Sequence, residues 1–595
     1  MHIPLRDYWS LLARYLRTQR GKVTLLALLL FGSIGLQLIN PQIVRRFIDA
    51  AQGGQSTATL LWLALLFLGA ALCNYLLRLA TTYLSEDVGW RTTNALRADL
   101  AAHCLRLDMT FHHQHNPGTL IERIDGDVGQ LARFFSQLVL QLLGNFLLLF
   151  GILAVLAWED WRLGLGFLGF VIGAIFILIR LRDFATAEMK AERAASADLF
   201  GFLEERLGGT EDIRANGAVP YTVHRLFQHM RDLWRKGMAA RVRSALFGSV
   251  IVVWFELGTV LALALGALLF LRDALTIGTV YLLYAYLRMV SNPLLRMSDE
   301  VQQLQEAGAG MTRIRELLAE TSAVVEGTHT TLPSSPLAVT FDHVDFTYGK
   351  PAVVNGGAGP GENRPILQDF SLTLAPGRTL GLLGRTGSGK TTLTRLLLRL
   401  YDPQAGTVSL GDVDLRQLTR ATLHRHVGIV TQDVQLFNAS VRDNLTFFDR
   451  RINDDAVEKA LATVGLSDWL RTLPAGLESE LSAGGSNLSA GEAQLLAFAR
   501  VLLKDPGVVI LDEASSRLDP VTERRLDQAV ARLLHNRTAL IIAHRLRTVQ
   551  QVDDILILEE GRIQEFGPRP QLAADPTSRF AQLLRTGLEF NEVSQ

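Results

Sequence analysis

From Gly384 to Thr391 the chain reads Gly-Arg-Thr-Gly-Ser-Gly-Lys-Thr. Glycines let successive backbone N–H groups curl around phosphate oxygens, a lysine supplies a point charge at the β/γ-phosphates, and a following hydroxyl suits Mg²⁺. The candidate nucleotide-binding residues are therefore Gly384, Gly387, Ser388, Gly389, Lys390, Thr391 and Thr392, with ATP and Mg²⁺ as ligands. An apolar strand, Thr379 to Leu383, precedes the loop and an apolar helix, Leu393 to Leu400, follows it, which is the setting a P-loop requires. Further on, Val508-Val509-Ile510-Leu511 reads as a buried strand ending in Asp512-Glu513. It would deliver Asp512 to the magnesium shell and Glu513 beside the γ-phosphate as general base. Two adjacent carboxylates also suit the start of a helix; the P-loop upstream favours the catalytic reading.

These motifs need a rigid platform, and the surrounding sequence supplies one. From Leu337 onward, short apolar runs (Val339 to Phe341, Thr379 to Leu383, Gly428 to Thr431, Val508 to Leu511, Ala539 to Ile542) alternate with helical stretches. That rhythm predicts a parallel sheet with helices packed on it. Ahead of it, the Thr/Ser/Pro-rich stretch Thr321 to Pro336 breaks an amphipathic helix running from Met297 to Glu320. The sequence thus divides into residues 1–325 and an α/β P-loop domain over 326–595.

The first half is of another kind. The chain has 595 residues, 48% of them hydrophobic, with a mean hydropathy of +0.20, too apolar for a purely soluble protein of this length. Lys+Arg and Asp+Glu are equal at 59 each, so no nucleic-acid partner is expected. Six apolar runs predict six spans: Val23 to Ile39, Thr59 to Leu77, Leu138 to Trp158, Trp161 to Ile179, Ser244 to Leu271 and Thr276 to Leu287. The first passes straight into Asn40-Pro41 without the small-residue pattern of a cleavable signal. The second-to-third and fourth-to-fifth connections are long, carry Arg91, Arg97, Arg106, Arg123, Arg193, Arg235 and Lys236, and read as helices prolonged into the cytoplasm. Both termini then lie in the cytoplasm, and the P-loop domain with them. Cys73 and Cys104 fall in different compartments on this reading and are expected as free thiols. Glu256 interrupts the fifth span, and Arg288 lies at a similar depth in the sixth, counted from a tight turn at Arg272-Asp273. The two are expected to pair or to line an aqueous cavity.

The stretch Asn487-Leu488-Ser489-Ala490-Gly491-Glu492-Ala493-Gln494, standing between the P-loop and Asp512-Glu513, makes the whole recognisable. The chain resembles the ABC transporter superfamily, in the type IV exporter arrangement of six spans and one nucleotide-binding domain on one polypeptide. The resemblance implies that Tyr348 stacks on adenine, that Gln432 touches magnesium, that Asp519 belongs to the D-loop and that His544 contacts the γ-phosphate. It also implies that Ser489, Gly491 and Glu492 complete the ATP site of a second subunit. Phe111, Pro117, Gly118, Leu120, Arg123 and Asp127 resemble a first coupling segment, and Leu207 to Ala215 the approach to a second.

Two departures stand out. The family's Leu-Ser-Gly-Gly-Gln is here Leu488-Ser489-Ala490-Gly491-Glu492, and Gly349 to Arg364 inserts a Gly/Pro/Asn-rich loop after Tyr348. An intact Glu513 beside an altered signature resembles one subunit of the family's heterodimers, whose partner carries a degenerate catalytic Glu. The expectation is an ATP-driven exporter of a drug-like, lipid or peptide substrate across the inner membrane, its partners a second half-transporter and membrane lipids. A homodimeric exporter and an ATP-gated channel or regulatory subunit are the alternatives; Glu513 and His544 argue against a channel with an idle ATPase.

Overall fold

The computed structural model describes residues 13–133, 139–181, 186–333, 335–348, 365–482, 488–512, 520–543, 549–550 and 552–586. The chain forms two compact units: one comprises 1–105 and 117–320, the other 106–116 and 321–595.

In the first unit the apolar runs lie within long helices. Helix α1 is Arg20–Gln52 and α2 is Thr57–Arg106, the latter 50 residues of which only the first half is apolar. Helix α3, Met109–Gln114, belongs to the second unit; the first continues with α4, Val139–Glu159, and α5, Trp161–Leu181. Then follow α6, Thr186–Gly208, α7, Val219–Phe270, and α8, Ile277–Ala319. Among the described residues, four stretches are long and apolar enough to cross a membrane: Ala13–Gln52, Thr57–Arg106, Trp161–Arg180 and Val219–Phe270. Leu143–Glu159 is a shorter apolar helix. The continuation of α2 and α7 past their apolar halves is the prolongation that the charged connections predict. Within a helix every backbone group is satisfied internally, which is what hydrocarbon demands.

Close approach and polar cross-links hold this bundle. A Cβ on Gly258 of α7 would stand 2.2 Å from Phe170 of α5, and one on Gly173 of α5 2.5 Å from Trp254 of α7. Small residues at these crossings let the two backbones approach, the usual means of association where helices share no hydrophobic drive. Asp49 of α1 accepts the Gly278 N–H (2.8 Å) and the Thr276 hydroxyl (3.0 Å), clamping the start of α8. Arg45 pairs with Glu159 of α4. On α8, Arg313 makes a forked ion pair with the buried Asp127. Cys73 and Cys104 are free thiols.

The second unit contains two main sheets. Strands β1, Val339–Phe346, and β2, Leu367–Leu374, precede β3, Thr379–Leu383; β4, Ala405–Leu410, and β5, Val413–Asp414, come next. The remaining strands are β6, Val427–Val430, β7, Val508–Asp512, β8, Thr538–Ile542, β9, Asp554–Glu559, and β10, Arg562–Pro568. The larger sheet has the order β10-β9-β3-β8-β7-β6 and is parallel apart from the edge strand β10. Strands β3 and β8 are buried throughout, as continuous apolar runs with both faces covered should be. The smaller sheet, β2-β1-β4-β5, is antiparallel. Here the sequence reading needs correction, because it assigned Val339 to Phe341 to the parallel sheet. These residues open an eight-residue antiparallel strand whose register shifts twice against β2, and the shifts interrupt the two-residue alternation that marks such a strand.

Candidate functional site

The P-loop begins where β3 leaves the centre of the parallel sheet. Gly384 has φ 150°, and a Cβ there would lie 2.3 Å from the Leu558 carbonyl oxygen, so only glycine fits the turn. Gly389, at φ 110°, is the N-cap of α9, Lys390–Leu397. The helix starts three residues before the apolar run that marked it in the sequence, so Lys390 and Thr391 occupy its first turn, where N–H groups and the helix dipole favour an anion.

Lys390 is buried, and its Nζ donates to the carbonyls of Gly384 (2.7 Å) and Arg385 (3.0 Å). Burial pulls its pKa down, and the charge of Asp512 opposes this. Ser388 is 4% exposed, yet its Oγ has no hydrogen-bond partner. A buried hydroxyl without a partner is costly, and here it adjoins a buried cation at a helix start. The loop therefore offers the donor set that a phosphate chain needs: backbone amides, a hydroxyl and an ammonium. Thr391 is exposed, whereas Thr392 is buried and shares a 3.0 Å hydrogen bond with the Tyr348 hydroxyl.

Strands β8, β7 and β6 run parallel to β3 and end on the same side, the edge where open α/β sheets hold their ligands. Asp512 is the last residue of β7, opposite Ile542 of β8; Leu511 is opposite Val430 of β6. Asp512 and the exposed Gln432, two residues beyond β6, thus emerge from neighbouring strands. Glu513, Asp519 and His544 lie outside the described residues, as does the loop 349–364.

Tyr348 stands two residues beyond β1, edge-on to Phe346 and Tyr401 at centroid distances of 4.9 and 5.2 Å. Arg395 of α9 donates to its hydroxyl at 3.1 Å and lies over its ring. The P-loop helix therefore fixes the aromatic ring from two positions, Thr392 and Arg395. Sequence reading missed Arg395, and it also missed how residues 106–116 join this unit. Asp108 N-caps α3, accepting from Thr110 N (2.9 Å) and Phe111 N (3.2 Å), and takes further hydrogen bonds from Ser322 Oγ and Ala323 N. His113 of α3 lies 6.4 Å from the Tyr348 ring. An Asp placed just before Phe111 was a readable helix-start signal; its bond to Ala323 was not.

Ser489 is the N-cap of α10, Ala490–Lys504, and Glu492 closes a capping box with it. The Ser489 Oγ accepts from Glu492 N at 3.2 Å, and the Glu492 carboxylate accepts from both the N–H and the hydroxyl of Ser489 at 2.8 Å. Gly491 is buried at the foot of the helix, and Leu488 packs on the core. In the first unit, Glu256 and Arg288 are brought together: Arg288 Nη1 lies 3.1 Å from Glu256 Oε1, each side chain more than half exposed.

A helical membrane part followed by a P-loop ATPase built on a parallel sheet is the architecture of a transport ATPase. Residues 23–294 match the ABC transporter transmembrane region, and 367–516 match the ABC transporter family. An ABC transporter ATP-binding protein of Bacillus subtilis (strain 168) is 30% identical over 577 residues, 95% of this chain and 92% of that protein. An ATP-dependent lipid A-core flippase of Thiobacillus denitrificans (strain ATCC 25259 / T1) is 30% identical, covering 91% and 92%. In fold, the chain is similar to a bacterial Atm1-family ABC exporter solved with ATP bound, with TM-score 0.78, 23% identity and coverage of 97% and 99%. The chain belongs to the ABC transporters, as an exporter-type half-transporter with its nucleotide-binding domain fused to the membrane domain, and it hydrolyses ATP to drive transport.

Proposed function

We propose that this chain is one half of a dimeric ABC exporter that moves a drug-like, lipid or peptide substrate across the inner membrane by alternating access. Six spans within residues 1–325 form the pathway, and residues 326–595 form the ATPase in the cytoplasm. The observation that carries the reading is the pairing, at the start of α9, of the buried Lys390 with the unpartnered Ser388 hydroxyl. Lys390, Ser388 and the amides of Gly387 and Gly389 hold the phosphates of ATP, with Gly384 making the turn and Tyr348 carrying the base. Thr391, Gln432 and Asp512 would hold Mg²⁺, which when bound neutralises phosphate charge. Glu513 takes a proton from the attacking water, and His544 holds the γ-phosphate. Ser489 and Gly491 reach the nucleotide of the other subunit, and Asp519 belongs to the segment between the two sites.

The partner is proposed to be a different half-transporter, with an intact signature and no catalytic Glu of its own. Ala490 adds a methyl group, and Glu492 a negative charge, at the segment that completes the partner's site, while Glu513 keeps this chain's own site competent. Concentrative, ATP-dependent uptake into inverted membrane vesicles, with ATPase activity stimulated by the same substrate, is the expected result. ATP-dependent conductance without accumulation would instead make the chain a channel. Full substrate-stimulated ATPase from this chain expressed alone as a stable homodimer would remove the heterodimer.

A further inference from the structure

Helices α1, α2 and α8 line an open cavity of about 300 Å³ in the first unit, at the small end for ligand sites. Of the eleven residues lining it, Arg78 alone is charged. Among the described residues no carboxylate comes within ion-pair distance of Arg78. Asn40 lines the same cavity, and its Oδ1 is buried without a hydrogen-bond donor. Asn74, also buried, spends one amide hydrogen on the Ser33 carbonyl. A buried acceptor without a donor, and at the exposed rim of the same open cavity a cation without a carboxylate, are features that a ligand can complete.

The polarity is graded along the helices. Measured from the turn at 53–56 that joins α1 to α2, a rise of ~1.5 Å per residue puts Val44 at about 12 Å and Phe67 at about 15 Å. Asn40 falls at about 18 Å, Asn74 at about 26 Å and Arg78 at about 32 Å, near the end of a ~30 Å hydrocarbon layer. Helical side chains lean toward the N-terminus of their own helix. The N-terminus of α2 is at the turn and that of α1 is at the far end, so Arg78 leans back toward the turn while Asn40 leans away from it. The two side chains thus lean toward one another along the axis, with Val44 and Phe67 nearer the turn.

We propose that this cavity binds the transported substrate and that the substrate is a single-chain acidic amphiphile. Its anion pairs with Arg78, an N–H or O–H beside the anion donates to Asn40 Oδ1, and its alkyl chain lies along Phe67 and Val44. The proposal deepens the exporter reading by naming its cargo class, and rests on it.

The test measures binding of radiolabelled N-dodecanoylglycine, which carries a carboxylate and an amide N–H, to the full-length protein in lipid nanodiscs, with its uncharged methyl ester as comparison. The acid is expected to bind at least about tenfold more tightly than the ester. Arg78→Gln is expected to abolish that preference and leave ester binding unchanged, Arg78→Lys to retain most of it, and Asn40→Leu to weaken both ligands. Val44→Trp, which fills the apolar end without touching the charge, is expected to weaken both as well. Equal binding of acid and ester by the wild-type protein, or an acid preference that survives Arg78→Gln, would overturn the proposal. Because the readout is binding, it separates from the exporter reading. Selective binding without ATP-driven uptake would leave the site and remove the exporter, while uptake of another substrate without selective binding would do the reverse.

Discussion

The hydroxyl of Ser489 donates to the carboxylate of Glu492 at 2.8 Å, and the amide of Glu492 donates back to the Ser489 oxygen. Ser489 is therefore held by its own helix, and if it reaches the nucleotide of another subunit as proposed, the phosphate would compete with a carboxylate for its proton. Glu492→Gln keeps an acceptor for the capping box but removes the charge. It is expected to raise ATP turnover at the site this signature completes by about fivefold, equivalent to ~1 kcal/mol of relieved repulsion. Glu492→Ala loses half of the box and should cost about 1 kcal/mol of stability, seen as a lower Tm. Turnover unchanged in Glu492→Gln, measured with the partner subunit present, would mean that the charge does not reach the phosphate.

Asp512 ends a buried strand beside β8, at the edge of the sheet where open α/β folds hold their ligands. If Glu513 is the general base, Glu513→Gln should leave ATP affinity within about twofold while slowing hydrolysis at this chain's site by at least ~100-fold. Equilibrium nucleotide binding and single-turnover hydrolysis read the two effects separately. Normal single-turnover hydrolysis would move the base elsewhere.

How far the sequence reached depended on how local the determining interactions are. The strand Thr379–Leu383 is read with its observed bounds because a fully buried parallel strand is a bare apolar run. The helix after it was read as starting at Leu393, since the first turn, Lys390 to Thr392, is polar and carries no apolar periodicity. The long membrane helices were legible from uncharged runs, and the Glu256–Arg288 pairing from their equal depth below one tight turn. The antiparallel sheet was missed because two register shifts in β1 break its alternation. The inclusion of residues 106–116 in the nucleotide-binding unit rests on bonds from Asp108 to Ser322 and Ala323, more than two hundred positions away, and no local pattern encodes such a partner.

That Asp108 carboxylate gives a pH-dependent prediction. Burial, the strongest influence, pushes its pKa up, but hydrogen bonds from the Ala323, Phe111 and Thr110 amides and the Ser322 hydroxyl together outweigh it, and the net shift is downward. A carboxylate with a lowered native pKa stabilises the fold above its unfolded pKa, about 3.9, and loses that contribution as pH falls through the lower native value. Asp108→Asn should therefore lower stability at pH 7 by roughly 1–2 kcal/mol, with the gap from wild type closing below about pH 4. Thermal unfolding across pH tests this; a gap that stays constant would mean the loss is packing rather than charge.

Glu256 and Arg288 are 3.1 Å apart on α7 and α8, and their side chains are 58% and 55% exposed in the single chain. Two charges held this way inside apolar helices are far costlier against acyl chains than against water, and each would be more costly still without the other. The pair is accordingly expected to face the aqueous pathway. Glu256→Leu then leaves the Arg288 cation unneutralised in that pathway and should reduce transport several-fold with little change in Tm, while the double change Glu256→Leu with Arg288→Leu removes both charges and should not restore transport. The reversed pair, Glu256→Arg with Arg288→Glu, keeps both charges in water and should retain stability and part of the activity. Substrate uptake and Tm measured across the four proteins distinguish the outcomes. Normal uptake by Glu256→Leu, or full recovery by the uncharged double variant, would place the pair on a structural seam of the bundle instead of the transport route.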